Sequence, residues 1–120
     1  MAETRQVSLL ELAADSVSDG IVAIDEQSVI LFANPALAGI FGYSPSELLG
    51  QPMTLLMPES LRDTHRASLR RYLVTGERNL SWKGVELPGL HKSGRRIPLE
   101  VSFGEIVKDG RHLFVESSAT

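Results

Sequence analysis

Cysteine is absent from all 120 residues. That excludes disulfides, thiolate metal sites, thiol nucleophiles and any cofactor chemistry routed through a cysteinyl adduct, and it fits a reducing compartment. No charge of one sign dominates: the formal net charge is −3, so neither nucleic acid nor a membrane surface is expected as a partner of this segment. No apolar run approaches the roughly 18 residues of a membrane span, and the start carries no signal-peptide core. A cytoplasmic location is therefore expected, with any anchor elsewhere in the parent protein. A Gly-rich phosphate loop is missing, and His65, His91 and His112 do not have metal-ligand spacing. No nucleophile sits in a pattern with a base. An enzyme is not expected; any catalysis would belong to an effector outside this chain.

What is present is ordinary globular material, 42% hydrophobic and 22% charged. Residues 1–120 are expected to form one domain with a real core. Val7 to Val17 reads as a short amphipathic helix, within about 6–17, with Leu9, Leu10, Ala13 and Val17 on one side. It either caps a sheet or makes a dimer contact, and the sequence favours neither. Asp19-Gly20 then opens the core, which extends to about 118.

Ile21–Ile24 and Val29–Ala33 are apolar runs around the polar turn Asp25-Glu-Gln-Ser28, a tight β-hairpin. Asn34-Pro35 caps a helix that Gly42 closes, and Ser44-Pro45-Ser-Glu47 has the form of a capping box. A long helix is predicted from Pro58 to about Val74, ending at Gly76. Strands are predicted over Leu80–Leu87, over Ile97–Phe103 with its odd positions apolar, and over Leu113–Val115 after a turn at Lys108-Asp-Gly110. Strands and helices are segregated, which argues an α+β class. Five antiparallel strands with helices on one face leave a gap where a small molecule can sit.

The long helix holds the most informative residues. Leu61, His65, Leu69 and Tyr72 fall at i, i+4, i+8 and i+11, one side of a helix, with Arg62, Asp63, Arg66 and Arg70 elsewhere. An imidazole on the inward side needs a hydrogen bond, a charge or a metal. His91 and His112 sit beside Gly-containing turns and are expected to be exposed. Trp82 reads as a structural residue, with a pocket wall or a dimer contact as alternatives.

Asp19-Gly-Ile-Val-Ala-Ile-Asp25, Asn34-Pro35, Phe41-Gly-Tyr43, Glu47-Leu-Leu-Gly50, Leu56-Met-Pro58, Lys92-Ser-Gly94 and Pro98 together resemble a PAS sensory domain in order and spacing. The resemblance implies a non-catalytic input module in a longer signalling protein, such as a histidine kinase, a transcription regulator or a cyclic-dinucleotide enzyme. It also implies a homodimer and a small molecule or cofactor bound between sheet and helices. A ligand-free dimerisation or interaction module is the alternative. From Leu56 to Gly94 the chain is most similar to haem-binding oxygen-sensor PAS domains of histidine kinases.

That similarity puts His65 on the iron-ligand position and Arg71 near a haem propionate. It puts Val85 where those sensors have an oxygen-contacting arginine, Asn79 where they have a histidine, and Val101 and Phe103 at two distal positions. Haem through His65 is thus one expectation; a histidine hydrogen-bonded in the helix–sheet gap is the plainer and preferred one. Flavin held without a covalent bond stays open, whereas a cysteinyl-flavin is excluded. The pocket candidates are His65, Leu69, Arg71, Tyr72, Val85, Leu99, Val101 and Phe103.

Overall fold

Asp25 holds the first turn. Its Oδ1 accepts from the N–H groups of Gln27 and Val29, each at 2.9 Å, which is how aspartate stabilises short polar turns. The flanking runs pair antiparallel as β1 (Gly20–Ile24) and β2 (Ile30–Ala33). These belong to a computed structural model that describes residues 18–78 and 82–120. The predicted helix over 7–17, with Leu9, Leu10, Ala13 and Val17, lies outside the described residues, as does Asn79.

Asn34 ends β2 and starts α1 (Pro35–Phe41). Its Oδ1 accepts from Leu37 N–H at 2.9 Å and Ile21 N–H at 2.8 Å, and its Nδ2 donates to the Asp19 carbonyl at 2.9 Å. One fully buried side chain thus caps a helix and ties it to β1. Gly42 ends the helix at φ +81, where an added Cβ would stand 2.5 Å from the His91 ring. A short α2 (Pro45–Leu48) follows, with the Glu47 carboxylate accepting from Ser44 N–H at 2.9 Å. A 3₁₀ turn (Met53–Leu56) leads into α3 (Glu59–Thr75), which ends at Gly76 with φ +75.

Three strands complete the chain: β3 (Val85–Leu90), β4 (Arg96–Lys108) and β5 (Arg111–Ala119). The sheet order is β2-β1-β5-β4-β3, with every neighbouring pair antiparallel. β3 departs from expectation. Residues 80 and 81 of the strand expected over Leu80–Leu87 lie outside the described residues; in the rest β3 begins only at Val85, because Gly84 turns through φ +61 and its N–H bonds to Ser102 Oγ at 3.0 Å. Pro88 fits within β3 because this is an edge strand, where a missing N–H leaves no ladder bond unmade. β4 and β5 are longer than predicted. Gly104-Glu105 breaks the apolar alternation, yet cross-strand pairing continues from Glu100–Ala119 to Lys108–Arg111.

Val22, Ile24, Ile97, Leu99, Val101 and Phe114 face inward and form the core with Leu37, Phe41, Leu48, Met53 and Leu56. Among the described residues no helix is long and apolar enough to cross a membrane.

Candidate functional site

Helix α3 does not close on the sheet. None of its residues is fully buried, and a cavity of about 220 Å³ remains beneath it. Leu61, His65, Leu69 and Tyr72 line it from the helix, so the spacing read from the sequence does define one face. Leu99, Val101 and Phe103 of β4 form the opposite wall, with Phe114 and Glu116 of β5.

His65 Nε2 lies 2.9 Å from Ser28 Oγ, so helix α3 is tied to the β1–β2 turn through the inward imidazole. Ser28 is buried and has φ +64, a left-handed conformation uncommon for a side-chain-bearing residue. Burial, and secondarily the charge of Arg66, hold the imidazole below its ordinary value of 6.5. It is therefore neutral near pH 7.

Tyr72 carries a further polar contact from the cavity face of the helix. Its hydroxyl donates to Glu105 Oε1 at 2.7 Å, and Glu105 Oε2 meets His112 Nδ1 at 2.5 Å. Burial alone would raise the Glu105 carboxyl, but the hydrogen bonds from Tyr72 and His112 outweigh it and hold the group below the usual carboxylate value. His112 is accordingly not the exposed turn residue expected; β5 starts before it and turns its ring onto Glu105 and Phe114. Tyr72, Trp82, Phe103 and Phe114 form an aromatic cluster, with ring centroids from 5.1 Å (Tyr72–Trp82) to 6.4 Å (Trp82–Phe103 and Trp82–Phe114). The Arg78 guanidinium sits 3.7 Å from the Trp82 ring centroid. Trp82 lines the cavity.

The structure thus brings His65, Leu69, Tyr72, Leu99, Val101 and Phe103 together around one space. Two candidates fall elsewhere. Arg71 is exposed and paired with Glu77 at 2.5 Å, because the position before Tyr72 turns about 100° away around the helix. Val85 pairs with Val101 at the start of β3 but does not line the cavity; Leu87 and Gly89 do.

Glu116 is the functional candidate that sequence reading missed. It stands opposite Val22 on one side and Phe103 on the other, on the inner face of the central strand. Burial alone pushes its carboxyl up to about 8, and it is among the residues that line the cavity. The available signal was parity: Phe114, Glu116 and Ser118 alternate with Leu113, Val115 and Ser117.

A haem does not fit these residues as they stand. His65 Nε2 is engaged by Ser28, Arg71 points away from the cavity, and about 220 Å³ exceeds only moderately the roughly 150 Å³ cavity that accommodates benzene.

An antiparallel five-stranded sheet with helices over one face and a cavity between them defines a class of small α+β input domains. The chain belongs to the PAS family, whose PAS fold model matches residues 8–116. It is 34% identical over 101 residues to an uncharacterised protein of Azorhizobium caulinodans, covering 83% of this chain and 14% of that one. It is 29% identical over 111 residues to the sensor protein FixL of Bradyrhizobium diazoefficiens, covering 92% and 22%. With the oxygen sensor protein DosP of Escherichia coli the identity is 26% over 110 residues, covering 82% and 14%. The chain spans less than a quarter of the length of each of these three relatives.

Among solved structures, a PAS domain from Colwellia psychrerythraea superposes with a TM-score of 0.72 at 22% identity, covering 96% of this chain and 98% of that one. The LOV protein of Rhodobacter sphaeroides superposes with a TM-score of 0.76 at 16% identity, covering 97% and 66%. The fold is therefore that of a PAS sensory domain, a non-catalytic module related to parts of a sensor protein and of a signal transduction histidine-protein kinase.

Proposed function

We propose that this PAS domain is a sensory input whose signal is occupancy of the cavity by a small, largely apolar molecule. The carrying observation is the space of about 220 Å³ between α3 and the sheet. Most of its wall is hydrocarbon and aromatic surface, which favours apolar ligands, and a few polar groups orient them. The His65–Ser28 bond and the Tyr72–Glu105 bond join α3 to opposite sides of the sheet. A ligand that displaces α3 strains or breaks these bonds, so it binds the two arrangements unequally and biases an effector in the same parent chain. A homodimeric, cytoplasmic sensor histidine kinase or transcription regulator is the setting this suits.

The test is methyl-resolved carbon–proton NMR of the 120-residue chain under xenon pressure. Leu69, Leu99 and Val101 are expected to shift selectively, and Leu69→Trp, which fills the space, to abolish those shifts. Uniform or absent shifts would overturn the cavity reading. An intense Soret band on haemin addition that His65→Ala removes would replace the small ligand with haem.

A further inference from the structure

The cavity has one chemical feature that a purely apolar ligand leaves unanswered. Glu116 reaches the inner face of the middle strand between Val22 and Phe103, and among the described residues its carboxyl makes no hydrogen bond or ion pair. Two residues further along β5, and just outside the cavity lining, the Ser118 hydroxyl is likewise buried without a partner among the described residues. Isolated polar groups in an apolar wall are costly unless something else satisfies them.

Among the described residues no cation meets Glu116. Arg78, which lines the cavity, has its guanidinium stacked over Trp82. His65 is neutral and bonded to Ser28. The side chains around Glu116 are instead ring systems: Phe103 directly across the ladder, Phe114 two residues before, with Trp82 and Tyr72 packed against them. Aromatic faces carry negative potential and attract a cation, and a carboxylate beside them adds a charge-assisted hydrogen bond.

We infer that the cavity is a receptor for a small apolar amine, a monocation with an aromatic or branched hydrocarbon body whose ammonium group meets Glu116. This rests on the cavity reading and specifies its ligand class. The hydrocarbon body lies against Leu69, Leu99 and Val101, while the ammonium gives Glu116 a charged partner. Burial keeps the free carboxyl protonated near pH 7, so binding the ammonium form releases that proton to the buffer and leaves a carboxylate–ammonium pair. An anionic ligand cannot form that pair.

The experiment is titration calorimetry of the 120-residue chain with phenethylamine, its neutral analogue phenethyl alcohol, and the anion hydrocinnamate. Phenethylamine should bind about tenfold or more tightly than the alcohol, the worth of a charge-assisted bond. Its heat should vary with buffer in the way proton release requires. Glu116→Gln should remove that advantage, bringing amine and alcohol to similar affinity; Glu116→Leu, a second variant that removes the buried carboxyl outright, should do the same. Circular dichroism confirms that both variants fold.

Equal binding of amine and alcohol, tightest binding of hydrocinnamate, or amine binding unaffected by either variant would overturn the inference and leave the cavity reading standing. Binding of none of the three overturns the inference as well, and the xenon spectra then decide separately whether the cavity reading falls with it.

Discussion

Ser28 Oγ and His65 Nε2, 37 residues apart in sequence, lie 2.9 Å from each other and join the first hairpin to the long helix. The serine adopts a left-handed backbone to reach this position. The histidine on this apolar helix face therefore has a hydrogen-bond partner from within the chain.

His65→Ala removes that bond and leaves the buried Ser28 hydroxyl unpaired. A loss of about 1–3 kcal/mol is expected in urea unfolding at neutral pH. Because burial lowers the folded-state value below 6.5, the unfolded chain takes up the proton first as pH falls. The histidine's contribution is thus complete above 6.5 and is lost as pH drops through the lower folded value. The variant should lose that part of the acid sensitivity. Wild type and variant curves running parallel below pH 6.5 would refute the assignment.

Glu116 acts with the opposite sign. Its folded-state value of about 8 lies above the ordinary 4.5, so the folded chain holds the proton that the unfolded chain releases. Its contribution is fully present below 4.5 and is lost as pH rises through about 8. Glu116→Gln should flatten the decline in melting temperature between pH 4.5 and about 8 and leave it a few degrees higher above that range. A decline of the same steepness in the variant would show that the carboxyl ionises freely.

Asn34→Ala tests the capping side chain. It deletes two acceptor bonds and one donor bond at a fully buried site, and about 2 kcal/mol or more of stability should go with them. Asn34→Asp keeps both acceptor contacts but sets a carboxylate oxygen against the Asp19 carbonyl at a fully buried site, so its loss should be at least as large near pH 7 and should shrink as the carboxyl protonates at lower pH. A loss in urea midpoint that does not change with pH would refute the donor contact to Asp19.

Most element boundaries were legible because they follow from local backbone chemistry. Asn34-Pro35, Ser44-Pro45 and Gly76 mark helix ends through caps, fixed φ and left-handed glycine, all of which act over a few residues. The cavity face of α3 was legible for the same reason, since Leu61, His65, Leu69 and Tyr72 share a side at helical spacing. β3 was misplaced where Gly84 bends the chain, and β5 was read too short where Glu116 and Ser117-Ser118 dilute the apolar signal.

By itself, then, the sequence determined an α+β domain with PAS-like order, its helix limits and the side of α3 that turns inward. Tertiary structure alone decided that Ser28 answers His65, that Glu105 answers Tyr72, that Arg71 turns outward to Glu77, and that Glu116 stands in the middle of the inner wall with no partner among the described residues. Propensities and caps are settled among near neighbours in the chain. Which side chains meet across the cavity depends on strand register and on where one helix comes to rest over the sheet.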